Sequence, residues 1–175
     1  TPNEVILLVK IREQKVDAAA LTTQLALGLE HLRDPGNMGT IIRLADWFGI
    51  RTIVCSPESV DVWNPKVVQA SMGSIQRVQV LYQELPEVIE AARKADAGYS
   101  VMATLLEGEN MYMADLPATG LVLFGNESSG LSEQLAKLAS LKISIPGGGG
   151  AESLNGGIAC GVVCSELFRR RLSAG

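Results

Sequence analysis

Short apolar runs that recur between amphipathic stretches constrain this chain most. Val5–Val9, Leu25–Leu29, Thr52–Cys55, Val78–Leu81, Ser100–Thr104, Gly120–Phe124 and Leu141–Ile145 each span a strand's length and are mostly apolar. Such runs fit strands buried on both faces. Between them, Ile41, Ile42, Ala45 and Phe48 give helical spacing from about Gly39 to Phe48. Pro65 suits a helix's first turn, Leu85–Ala97 reads as helix, and a last helix runs from near Asn155 to about Arg171. Strands alternating with helices predict an α/β fold: a mainly parallel sheet covered by helices on both faces. In such sheets ligands bind at the carboxyl ends of strands, so the loops that follow strands are the places to search.

Composition removes several classes. The 175 residues suit one domain with a core of its own, and 47% hydrophobic against 19% charged residues excludes a disordered chain or a coiled coil. A net charge of −4, with pI about 5.1, is opposite to the basic footprint of a nucleic-acid binder. Any RNA contact must then come from local charge, for which Arg33, Arg43, Lys66 and Arg77 are the candidates; Arg169, Arg170 and Arg171 read as complements to the last helix's negative end. With an odd number of cysteines, three, and a single histidine, no metal is expected. Reduced thiols without an apolar run of membrane-spanning length predict a cytoplasmic protein with no membrane partner. The first residue is Thr, which suggests a piece of a longer chain.

Three strand-end loops carry unusual residues. In His31–Arg43, Pro35 and Gly36 turn the chain, Asn37 is placed to cap the next helix, Gly39 allows close approach, and Arg43 projects near the same rim. Phe124–Leu131 is glycine-rich, but Leu131 stands where a phosphate loop needs lysine, and no G-x-G-x-x-G follows any strand. Its turn suits backbone contact with a small ligand, with Glu127 placed for hydrogen bonding. Ile145–Asn155 holds four consecutive glycines between a buried strand and a helix, which favours a binding loop over a linker, with Ser153 and Asn155 as caps. His31 reads as a structural histidine, Cys160 and Cys164 as core thiols on one helix face, and Trp47 and Trp63 as core or dimer packing rather than base-stacking groups.

Taken together, Asn37-x-Gly39-x-x-x-Arg43, Gly125-x-Glu127-x-x-Gly130-Leu131, and Ile145-Pro146 followed by Ser153-Leu154-Asn155 resemble the three motifs of SPOUT-class methyltransferases. The branch is that of the SpoU or TrmH-like RNA ribose 2′-O-methyltransferases, and the segment Asn64–Gly73 resembles it too. The resemblance implies a carboxyl-terminal trefoil knot, S-adenosylmethionine as cofactor, a homodimer, and methyl transfer to a ribose 2′-hydroxyl of tRNA or rRNA. By motif position it implies Arg43, Asn37, Glu127 and Asn155 as active-site residues. It likewise implies Thr104, Gly125, Asn126, Ile145, Ser153, Leu154 and Asn155 as cofactor-binding residues. Residues 25–175 form the catalytic domain on this view, and residues 1–24 are a strand or linker left from an absent RNA-binding domain. Gly147 replaces the usual Met, and Gly156-Gly157 replace Val-Ser or Val-Ala, which weakens the helix start. Rival readings are a catalytically silent knotted domain that binds RNA or a partner, and an enzyme that methylates a base nitrogen.

Overall fold

A computed structural model describes Lys10 and residues 15–173; the run Val5–Val9 lies outside them. Six strands form one sheet: β1 (Leu25–Leu29), β2 (Thr52–Cys55), β3 (Gln79–Tyr82), β4 (Val101–Asn110), β5 (Gly120–Phe124) and β6 (Leu141–Ser144), in the order β3-β2-β1-β5-β4-β6. Every strand pair in the sheet is parallel, with Leu27 of β1 opposite Ile53 of β2 on one side and Val122 of β5 on the other. The expected architecture is the observed one.

The two-sided burial follows from alternation along each strand. Leu25, Leu27, Leu29, Ile53, Val122 and Phe124 point to one core. Ala26, Val54, Leu121 and Leu123 point to the other. Over the first face lie α2 (Pro35–Trp47), α3 (Pro65–Ser71) and α6 (Gly156–Ser173); over the second lie α1 (Ala18–Thr22), α4 (Leu85–Ala95) and α5 (Glu133–Leu138). Within the stretch expected as strand or linker, α1 thus packs on α4 and buries Leu21.

The chain builds β1, β2 and β3 outward in one direction, then returns to lay β4, β5 and β6 on the other side. The order reverses between β1 and β5, the place where α/β sheets form a ligand crevice at their strands' carboxyl ends. Two boundaries differ from expectation by more than two residues. The helix expected from Gly39 begins at Pro35, because Asp34 caps it. The strand expected to end at Thr104 continues to Asn110: residues between Thr104 and Glu109 bulge outward, and the strand re-pairs with Ile143 and Ser144.

Candidate functional site

The loop after β1 is shaped by Asp34, whose carboxylate accepts the Asn37 N–H at 2.7 Å while Pro35 occupies the first turn. Asp34 therefore takes the capping role expected of Asn37, and this frees the Asn37 side chain to face the crevice. The close approach at Gly39 is between helices. A Cβ there would run into Ala70 and sit 2.9 Å from the Val67 carbonyl oxygen, so α2 and α3 cross at this point.

The loop after β5 folds back on itself. Asn126 and Gly130 exchange backbone hydrogen bonds of 3.1 and 2.9 Å, and Gly125 lies so close to Gly130 and Leu131 that no Cβ fits. The Asn126 side chain is committed within this turn: its Oδ1 accepts the Ser128 N–H at 2.9 Å, and its Nδ2 donates to the His31 carbonyl at 2.8 Å.

The third loop leaves β6 at the sheet edge and must cross the ends of β4 and β5, about 5 Å per strand, to reach the crevice. Along it, Gly147 to Gly150 have open space where side chains would be. Asn155 ends it by capping α6, its Oδ1 accepting N–H groups of Gly157 at 3.0 Å and Ile158 at 3.2 Å. Ser153 is exposed, and the cap is Asn155 alone.

The three loops meet in one hydrogen-bonded line. Asn155 Nδ2 donates to Asn37 Oδ1 at 2.9 Å, and Asn37 Nδ2 donates to Glu127 Oε1 at 2.9 Å. Its polarity is set at one end. Because the α6 cap requires the Asn155 oxygen, the Asn155 amide must donate to Asn37, and Asn37 must then donate to Glu127. Glu127 is thereby addressed as an acceptor. Gly157 lets α6 come this near, since a Cβ on it would lie 3.3 Å from Thr40 Cγ2 and 3.4 Å from Asn37 Oδ1.

Around this line, Thr104 Oγ1 donates to the Leu123 carbonyl at 2.7 Å, and Ile145 and the exposed Leu154 border the crossing loop. Arg43 is exposed on α2 and its side chain makes no hydrogen bond or ion pair among the described residues, and the same holds for the side chains of Arg33 and Lys66. Arg77 differs. It grips Asp46 through Nε and Nη2, the latter at 2.7 Å, and together with Ser74 holds that carboxyl below its usual range. Arg169 and Arg170 pair with Glu166. His31 is structural in its contacts, with left-handed backbone (φ 51°) and Nε2 3.3 Å from Glu58. Cys160 and Cys164 are buried, whereas Trp47 is 81% exposed, so the core reading of that tryptophan is corrected. Sequence reasoning missed Glu30, which is buried and accepts the Ser132 N–H at 2.7 Å. A lone acid after an apolar strand gives no signal of that role. No cluster of three metal-binding side chains occurs among the described residues.

The model of the SpoU rRNA Methylase family matches residues 24–165, which takes in all three loops. The chain belongs to this family. A 23S rRNA (uridine(2479)-2′-O)-methyltransferase of Streptomyces viridochromogenes is 30% identical over 98% of this chain and 62% of its own length. The crystal structure of the SpoU methyltransferase AviRb from that organism, in complex with AdoMet, superposes with a TM-score of 0.78 at 32% identity, covering 86% of this chain and 61% of that one. An AdoMet-bound rRNA methyltransferase from Sinorhizobium meliloti gives 0.80 at 33% identity, over 90% and 61%. Against the curated relatives, the chain spans between 55% and 65% of their length.

Proposed function

We propose that this chain is the catalytic part of an S-adenosylmethionine-dependent methyltransferase that modifies a ribose 2′-hydroxyl of ribosomal or transfer RNA. The observation that carries the reading is the Asn155–Asn37–Glu127 line, which joins three loops, two of them 90 and 118 residues from Asn37. The free Arg43 guanidinium stands on the same helix as Asn37. Relatives named as rRNA 2′-O-methyltransferases, and solved relatives holding AdoMet, support it.

The residues present suit this cofactor. The Gly147–Gly150 run leaves backbone N–H and C=O groups uncovered, the Gly125 turn packs backbone against backbone, and Ile145 and Leu154 offer apolar edges. Thr104, Gly125, Asn126, Ile145, Ser153, Leu154 and Asn155 are the residues that would hold it, with Asn126 acting by shaping its loop. When bound, S-adenosylmethionine supplies an electrophilic methyl group on a sulfonium centre.

Arg43 then has the central role. A ribose hydroxyl is a weak nucleophile, so the site must favour negative charge on its oxygen. The Arg43 guanidinium orients that hydroxyl and the adjacent phosphate and stabilises the charge that develops. It does not accept the proton, because a guanidinium cation is a donor with no acceptor site; a phosphate oxygen or water takes it. Glu127, held by Asn37, is an acceptor that fixes the substrate's donors, and the rest is positioning. Arg33 and Lys66 are RNA contacts at the rim, and Arg77 reaches RNA only at the expense of Asp46. The chain works as a homodimer, knotted at its carboxyl end, in a cytoplasmic setting.

The test combines tritiated S-adenosylmethionine with total RNA from cells that lack the gene. Label recovered as a 2′-O-methylnucleoside, lost in Arg43→Ala with cofactor binding kept, is the expected result. Label on a base, or cofactor and RNA binding without transfer, replaces this reading with one of the two rivals.

A further inference from the structure

The loop from Gly125 to Ser132 holds Glu127, yet Glu127, Ser128, Ser129 and Gly130 are all exposed and bury nothing. The helix that follows, α5, has six residues and buries only Leu135. From Glu127 to Gly130, packing therefore contributes little to the loop's shape. Two hydrogen bonds tie it instead to the end of β1. At one end, the Asn126 amide donates to the His31 carbonyl at 2.8 Å. At the other, the Ser132 N–H donates to Glu30 Oε2 at 2.7 Å.

The geometry points to Glu30 as a positioning residue whose carboxylate latches the 125–132 loop to β1 and so pre-forms the cofactor-facing turn. The inference rests on the methyltransferase reading for what the turn receives. Glu30 is only 8% exposed, and burying a carboxylate is unfavourable unless strong donors compensate it. An apolar side chain would serve the core better at this position. What Glu30 adds is a side-chain oxygen that reaches and accepts the Ser132 N–H, which no apolar side chain offers. The latch joins the segments that follow β1 and β5, the two strands between which the order reverses, as the Asn37–Glu127 bond also does. Glu127 is thus held from two directions: by Asn37 directly and by Glu30 through the loop backbone.

The experiment compares Glu30→Ala, Glu30→Gln, Ser132→Pro and Ser132→Ala with the unaltered chain. S-adenosylmethionine affinity is read by titration calorimetry, and amide hydrogen exchange over residues 126–131 is read in the ligand-free chain. The φ of Ser132, −62°, suits proline, which deletes the donor; Ser132→Ala keeps the N–H and loses only the α5 cap. Expected for Glu30→Ala and Ser132→Pro is affinity about tenfold or more weaker, with faster exchange confined to the loop. Glu30→Gln, whose amide oxygen still accepts, and Ser132→Ala stay within about threefold of the unaltered chain. Glu30→Ala binding as tightly as the unaltered chain overturns the latch, as does Glu30→Gln failing together with Glu30→Ala. Should Glu30→Ala not fold, the Ser132 pair decides: equal behaviour of Pro and Ala overturns the proposal. An unaltered chain that binds no cofactor at all refutes the methyltransferase reading instead, while the ligand-free exchange comparison still tests the latch.

Discussion

A single amide sets the direction of the central hydrogen-bonded line, and that makes its two jobs separable. Asn155 Oδ1 caps α6 while Nδ2 donates to Asn37. Asn155→Asp keeps the capping oxygen but turns the donor into an acceptor facing Asn37 Oδ1. Either two acceptors then oppose each other or Asn37 rotates and presents its oxygen to Glu127. Stability, read by thermal unfolding, stays near that of the unaltered chain, whereas methyl transfer falls by at least about a hundredfold, on the order of the loss from removing one preorganised donor. Asn155→Ala, by contrast, also loses about 1 kcal/mol of stability as a missing cap. Equal activity of Asn155→Asp and the unaltered chain would show that the polarity does not matter. At this scale the sequence named the participants through motif resemblance, but spacing alone could not pair them. Nor could it assign the cap before Pro35, since Asp34 and Asn37 are both good caps and the proline position decides between them.

Among the elements, α2 and α6 carry the site, and each is fixed by a close contact. Gly39→Ala pushes a methyl into Ala70 and the Val67 carbonyl, separates α2 from α3, and costs about 1–3 kcal/mol in denaturant unfolding. The far end of α6 is held by Glu166, which is 7% exposed and bonded to Arg169 and Arg170, while Arg170 also donates to the carbonyls of Met111, Tyr112 and Ala114. The Arg169 and Arg170 guanidiniums hold the Glu166 carboxyl down at about 2. A depressed carboxyl stabilises the fold fully above its unfolded value, roughly pH 4.5, and loses that contribution as pH falls toward 2. Melting temperature therefore drops across this window, and Glu166→Gln melts lower at neutral pH with a flatter acid limb; an unchanged limb would remove Glu166 from the account. Strands β1, β2 and β5 were legible because they are buried on both faces, and α2, α4 and α6 because their spacing or length is regular. The elements α1 and α5 were not, since five and six residues are too few to display a helical period. The continuation of β4 was hidden by its exposed, acidic bulge around Glu107 and Glu109.

For the whole molecule, the outer surface of the α2–α6 layer is the decisive feature. Trp47 is 81% exposed on the stripe of α2 that carries Thr40 and Arg43, and Ile158 (59%) and Leu172 (68%) are exposed on one stripe of α6. The two helices lie side by side, with Leu44 against Gly161 and the rings of Phe48 and Phe168 5.7 Å apart. Large apolar side chains on neighbouring helices, in a chain of net charge −4, mark a surface that is covered in the working assembly. In the proposed homodimer the same layer of a second copy would cover it, and two Arg43 guanidiniums would then lie near one seam as a local cationic strip for RNA. Trp47→Glu combined with Ile158→Glu places like charges across a two-fold contact and shifts sedimentation from dimer to monomer at micromolar concentration, while leaving both cores intact. Activity then falls with dimer content. A double variant that remains dimeric locates the interface elsewhere, and a monomeric unaltered chain assigns the tryptophan to RNA stacking, where Trp47→Ala weakens RNA binding but Trp47→Phe does not.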